Sequence, residues 1–380
     1  MINPLTVRAG SKTAPAYLLR LNEQDITTII SPRLLSLNLT DNRGFEADQL
    51  DIELDDSDGQ VQLPRRGAVL SVFLGWQGEA LIGKGDFTVD EIEHRGAPDT
   101  VTIRARSADF RGSLNSRREL SYHDTTLGAI VAQVATRNNL VPMLADGFAG
   151  IKIPHIDQTQ ETDAVFITRL AERNGAIAAI KAGRLLFIRP GTGKTASGKP
   201  IPQQVIERSD GDRHSFSLAD RGAYTGVTAS WLHTKEPKPK KPKKVKVQRK
   251  VLLHQGPQPT HPKAKKTTKV PEAREGNYMV GTDENVLELT TVFSTQAQAM
   301  RAAQAKWDKL QRGVAEFSIA LAMGRADLFP ETPVQVSGFK QVIDEQPWTI
   351  SKVTHALSNG GYTTQLELEV LLSDGEFDAE

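Results

Sequence analysis

Apolar and polar residues alternate with a period of two through Tyr17, Leu19 and Leu21, through Leu35, Leu37 and Leu39, and through Leu50, Ile52 and Leu54. A period of two puts every second side chain on one face of a strand. Turn formers separate these runs: Asp41-Asn-Arg-Gly44, Asp55-Asp-Ser-Asp-Gly59 and Arg95-Gly-Ala-Pro98. Residues 16–106 therefore read as short strands at close spacing, the pattern of a small barrel or sandwich.

One strand pattern occurs twice. Phe87-Thr-Val-Asp-Glu-Ile92-Glu-His94 and Trp348-Thr-Ile-Ser-Lys-Val353-Thr-His355 align without a gap: aromatic, Thr, β-branched, polar, charged, β-branched, polar, His. An alternating strand precedes each copy, at residues 67–75 and 332–338, and another follows, at residues 100–106 and 363–370. More weakly, Phe216-Ser-Leu218 echoes Leu37-Asn-Leu39. A chain that carries one β-module twice is a candidate for building a ring.

Between the copies the period changes. Leu127, Ile130, Val131, Val134 and Ala135 follow helical spacing, with Asp124 as the expected N-cap. A second helix is predicted from Thr162 to Asn174, with Asp163 in its first turn and Gly175 just beyond its end. Two short apolar strands, 176–180 and 184–188, flank the turn Lys181-Ala-Gly183. A third helix is predicted at 294–312, capped by Ser294 and stopped by Gly313, with Met300, Ala303, Trp307 and Leu310 as its apolar stripe. The expected class is mainly β with α (α+β), in four parts. Residues 1–110 form a first β-barrel, 111–200 a small α/β domain, 201–372 a second barrel, and 373–380 an acidic tail.

Composition adds one asymmetry. The 380 residues carry a net charge of +1, yet residues 235–269 carry +12 and the remainder −11. The Pro-, Lys- and Gln-rich stretch 233–276 has too few apolar groups to offset its ordering entropy, so it reads as a mobile loop. Lys238, Lys240, Lys241, Lys243, Lys244 and Lys246 form the candidate partner-binding site. Such a cluster suits a solvated loop, an acidic protein surface or nucleic acid. It has no interleaved aromatics for base stacking, so specific nucleic-acid binding is not expected.

The chemistry-bearing patterns are weak. Gly191-Thr-Gly-Lys-Thr-Ala-Ser-Gly198-Lys199-Pro200 resembles a phosphate loop only in composition. A proline stands where Ser or Thr would hold magnesium, and Pro200 and Pro202 oppose a following helix. The eight histidines show no metal-ligand spacing, and His94 and His355 read as polar residues closing their strands. The carboxylates of Asp55, Asp56 and Asp58, and of Asp90, Glu91 and Glu93, are explained by turns and solvated faces. No Gly-x-Ser-x-Gly is present, and there is no cysteine. No cofactor, metal or catalytic set is expected. Neither a membrane-spanning run nor a signal-peptide pattern is seen.

Several motifs together resemble the phage late control protein D family. They are Gln160-Glu-Thr-Asp163-Ala-Val-Phe166-Ile-Thr-Arg169-Leu-Ala-Glu-Arg173-Asn-Gly175 with Gly183-Arg-Leu-Leu-Phe-Ile188, and then the order of helix 297–311, Phe329-Pro330, residues 332–339, 348–355 and 363–371. The family pattern has Gly after Pro330, where this chain has Glu331. The resemblance implies a tail hub protein of contractile phages, similar to the N-terminal region of type VI secretion spike proteins. It implies two tail-tube-like barrels around an α/β portion, and a homotrimer joining the three-fold tail spike protein to the six-fold tail tube protein. Tape-measure or baseplate wedge proteins are further expected neighbours. The expected location is the virion tail baseplate, after assembly in the host cytoplasm. Two other classes stay open on the sequence: a tail-associated cell-wall hydrolase and a DNA-binding late-gene regulator.

Overall fold

The computed structural model describes residues 14–107, 113–181, 183–218, 224, 226–231, 244–247, 285–293, 295–313 and 315–371. The first elements are β1 (Pro15–Leu21), β2 (Gln24–Asp25), α1 (Thr27–Ile30), β3 (Leu34–Asn42), β4 (Gln49–Asp55), β5 (Val69–Trp76), β6 (Ile82–Arg95) and β7 (Thr100–Arg106). They pair in the order β1-β5-β6-β7-β4-β3. The alternation read in the sequence sets which faces are buried. Leu37, Leu39, Leu50, Ile52, Leu70, Val72, Phe87 and Val89 point into one apolar core.

Next come β8 (Arg117–Thr126), α2 (Leu127–Arg137), β9 (Val141–Leu144), β10 (Lys152–Thr162), α3 (Asp163–Arg173), β11 (Ile177–Lys181) and β12 (Arg184–Ile188). Strands β8 and β10 form a two-stranded ribbon, and β11-β12-β9 a three-stranded sheet. The helices bury Leu127, Ile130, Val131 and Val134 of α2 and Phe166, Ile167 and Leu170 of α3 in a separate core. Asp124 is not the N-cap of α2. It sits at a φ of 41° within β8, and the cap is Thr126, which accepts from the Ala129 N–H at 3.2 Å. The cap of α3 is Thr162, accepting from Val165 N–H.

The chain continues through β13 (Gln204–Glu207), β14 (Gly211–Leu218), β15 (Gly226–Trp231), β16 (Lys244–Val247), β17 (Val286–Phe293), α4 (Gln296–Arg312), β18 (Ala315–Leu321), β19 (Pro333–Ser337), α5 (Gln341–Asp344), β20 (Trp348–Ser358) and β21 (Gly361–Val370). Six of these strands pair in the order β13-β19-β20-β21-β18-β14 around a third core built on Phe317, Ile319, Val336, Trp348, Ile350 and Leu368. Between β14 and β18 the chain leaves the module. It forms β16-β15-β17, against which α4 packs Ala299, Ala303 and Trp307.

Three details differ from the sequence reading. Thr295 caps α4 by accepting from Gln298 N–H, and Ser294 lies outside the described residues. Met300 is exposed, and α4 instead buries a row of alanines at 299, 302, 303 and 305. Lys244–Val247, read as part of a mobile loop, forms a strand on β15, Thr228 facing Lys246 and Ser230 facing Lys244.

The two six-stranded modules, with β2 paired on the outer edge of β1, share one thirteen-stranded sheet, because β20 also pairs with β3. The described strands thus form two modules around different cores, the first of which also takes in Ala326, Leu357 and Tyr362. Strand pairing closes neither of them into a complete barrel among the described residues.

Candidate functional site

Among the described residues no group of three or more His, Asp or Glu side chains could hold a metal. Asp163 is fully buried, but its oxygens are taken up. Arg137, Asn138 and Gln158 all donate to it, at 2.5 to 2.9 Å. Burial would raise its pKa, and these donors outweigh burial and hold it below the usual carboxylate range. It is a structural hub for α2, α3 and β10. His155 meets His123 and Asp157 at 3.0 Å, but all three are exposed on the β8–β10 ribbon.

Several other buried polar groups lie along the seam between the modules. Antiparallel pairing runs from Lys352–Asn42 to Ser358–Ser36. Beside it Trp76 Nε1 donates to the Gly324 carbonyl at 2.9 Å. Lys84 Nζ donates to the carbonyls of Ala326 and Leu328 at 3.0 and 3.1 Å and sits over the Phe329 ring. Burial pulls its pKa down to about 8. Arg43 reaches from the end of β3 to Glu331 and Glu369. Lys181 Nζ ties β11 to the first module, 2.7 Å from Asp41 and 2.5 Å from Asp48. Burial alone would lower Lys181, but the two carboxylates hold it above the usual lysine value. Burial, with the charge of Asp41, raises Asp48 to about 6 despite Lys181.

The repeated strand pattern is repeated in three dimensions. Thr88 faces Val69 on one side and Arg106 on the other; Thr349 faces Pro333 and Glu369. The β6–β7 register skips between Val89 and Glu91, and the β20–β21 register between Ile350 and Lys352, at the same place in the repeat. The β3–β4 register skips between Leu34 and Ser36, and β14–β18 between Gly211 and Arg213. Even the loop contacts match. Gly67 N–H donates to Val89 O and Glu331 N–H to Ile350 O, and both residues have positive φ, 92° and 70°. Bulges re-aim a strand and are costly to place by accident, so the modules are two copies of one design.

The copies differ at their edges. The far half of β20 pairs with β3, but residues 91–95 of β6, its counterpart, pair only with β7 among the described residues. Among the described residues strand β14, the counterpart of β3, pairs only with β18. His94 and His355 show the consequence. His94 closes its strand half-exposed, 3.5 Å from Asp56. His355 was expected to do the same, yet it is fully buried within β20, 3.0 Å from both Thr364 Oγ1 and Tyr362 OH. Burial, with the nearby charge of Lys84, pushes its pKa down to about 2.

Of the six candidate lysines, Lys238, Lys240, Lys241 and Lys243 lie outside the described residues; Lys244 and Lys246 stand on β16. The seam residues Arg43, Lys84 and Lys181 were not picked out by the sequence. Lys84 did leave a signal, a lysine set between Gly83 and Gly85 at the start of its strand.

The sequence pattern of the phage tail baseplate hub (GPD) family matches residues 42–361. The probable baseplate hub protein of Escherichia phage 186 is 67% identical over 386 residues, covering 100% of this chain and 99% of that protein. Its counterpart in Escherichia phage P2 is 68% identical over 385 residues, with the same coverage of each. Among solved structures, the 43 kDa tail protein of prophage MuSo2 from Shewanella oneidensis superposes with a TM-score of 0.64. It covers 93% of this chain and 98% of its own, at 13% identity. At that identity the likeness is one of fold.

Proposed function

This chain belongs to the phage tail baseplate hub family, and from that premise we propose that it works as a homotrimeric adaptor between a three-fold spike and a six-fold tail tube. It is a structural protein of the phage tail and not an enzyme, in keeping with relatives that are named probable baseplate hub proteins. The observation that carries the trimer reading is the double module. Three chains with two copies each present six similar modules, so one ring can meet six-fold and three-fold neighbours.

In this reading residues 1–110 and 201–372 are tail-tube-like barrels, residues 111–200 form a small α/β domain between them, and 373–380 are an acidic tail. The hub assembles in the host cytoplasm, carries tube protein on one side and spike protein on the other, and works in a contractile tail. The basic segment docks on an acidic neighbour such as the spike, tape-measure or wedge protein. Its net +12 against the −11 of the remainder supports that assignment.

Size-exclusion chromatography with light scattering tests the ring. The expected particle has three times the 41.6 kDa chain mass, alone or with spike protein. A strict monomer in both cases overturns the reading. Deleting residues 235–269 tests the basic segment: particles of normal yield and infectivity would reject an essential role.

A further inference from the structure

The seam inside one chain is a template for a contact between chains. In it, β20 of the second module lies antiparallel to β3 of the first, with Val353 opposite Asp41, Thr354 opposite Thr40, His355 opposite Leu39 and Ala356 opposite Asn38. The matched registers give each of these residues a counterpart. Ile92, Glu93, His94 and Arg95 of β6 stand where Val353, Thr354, His355 and Ala356 stand in β20. Leu218, Ser217, Phe216 and Ser215 of β14 stand where Asp41, Thr40, Leu39 and Asn38 stand in β3. Among the described residues, both counterpart edges lack the strand that covers the template.

We infer that β14 of one copy pairs antiparallel with residues 91–95 of β6 in a second copy of this chain. The register places Ile92 opposite Leu218, Glu93 opposite Ser217, His94 opposite Phe216 and Arg95 opposite Ser215. This rests on the reading of the chain as a ring-forming hub, and it names the surface by which the ring closes.

Burial supports the pairing independently of register. Val353, His355, Leu37 and Leu39, on the paired strands, are all within 1% of complete burial. Their counterparts Ile92, His94, His214 and Phe216 are all more accessible, His94 and His214 being exposed. Leu218, at the end of β14, is 54% exposed. Along these two edges, residues of the same pattern are thus more accessible where no neighbouring strand is described. An uncovered strand edge is a template for further pairing, and natural proteins block or cover such edges. Strand β14 offers no proline to block it. The contact is head-to-tail, since β6 meets β14 and not another β6. A heterologous contact of this kind closes into a ring when its rotation fits.

The chain has no cysteine, so engineered disulfides report the contact directly. The variant carrying both Glu93→Cys and Ser217→Cys should, on oxidation, give a ladder on non-reducing gels that stops at three chains. Either substitution alone should give none, and a mixture of the two single variants should give two-chain products. The intramolecular control, Thr40→Cys with Thr354→Cys, should crosslink within one chain. A trimer by light scattering with no Glu93–Ser217 crosslink overturns the edge pairing and leaves the trimeric hub standing. A ladder that runs on beyond three chains supports the pairing and rejects the trimer. A strict monomer without crosslinks overturns both.

Discussion

Arg43 Nε lies 2.5 Å from Oε1 of Glu331, and this pair holds a glutamate in the left-handed backbone region, at a φ of 70°. The first copy has Gly67 at the matching position, with a φ of 92°. A left-handed non-glycine costs on the order of 1 kcal/mol or more. Here the side chain offsets that cost, because its second oxygen accepts from Gly191 N–H at 2.7 Å while the first meets Arg43. Glycine suffices in the first copy because no inter-module pair is anchored there.

Glu331→Gly should therefore destabilise the chain although it relieves the backbone. It strips one of two carboxylates from a buried arginine, a loss of roughly 3–5 kcal/mol for a buried pair, against about 1 kcal/mol of backbone relief. A net loss of about 2–4 kcal/mol in urea unfolding is expected. An unchanged or raised midpoint would show that Glu369 alone serves Arg43.

Lys84→Met should leave the Ala326 and Leu328 carbonyls without their donor, at a cost of about 1–3 kcal/mol. The pH dependence gives a second signature. The pKa of Lys84 is lowered from 10.5 to about 8 by burial. Between those values the unfolded chain holds more protons, so folding stability gains with rising pH. The variant should lack that gain between pH 8 and 10.

Asp48 and His355 should oppose one another in mild acid. Asp48 is raised from 3.8 to about 6, so its contribution is complete below about pH 4 and is lost as pH rises through 6. His355 is lowered from 6.5 to about 2, so its contribution is present above pH 6.5 and is lost as pH falls. Asp48→Asn should leave only the second slope, seen as a steeper fall in melting temperature from pH 6.5 to 4.5. A profile parallel to that of the natural chain would count against the raised pKa.

Leu218→Glu should weaken self-association by about tenfold or more, equal to about 1.4 kcal/mol, by putting a charge opposite Ile92. Leu218 is 54% exposed in the single chain, so the far-ultraviolet circular dichroism of dilute protein should not change. Light scattering across a concentration series reads the effect.

Much of this was legible in the sequence where contacts are local. The Phe87–His94 and Trp348–His355 segments align by eye, and Thr162 to Gly175 marks α3 from cap to stop. What eluded the sequence depends on strands far apart in the chain. The two histidines occupy one position of one pattern, yet His355 is buried because β3 lies alongside it, over 300 residues away in sequence. Arg43 and Lys84 look like surface charges until the second module is placed against them. Composition reports solubility and not pairing, so Lys244–Val247, within the stretch read as a loop, joins a sheet all the same.

The excursion between β14 and β18, comprising β15 to β17 and α4, has no counterpart between β3 and β4. In a closed ring it would recur at every second module and nowhere else. The strand framework would then count in sixes while the decoration counts in threes. A neighbour that grips only the framework could seat itself in six equivalent orientations, and one that touches the decoration in three. The periodicity that a partner experiences would be set by how far out from the framework it makes contact.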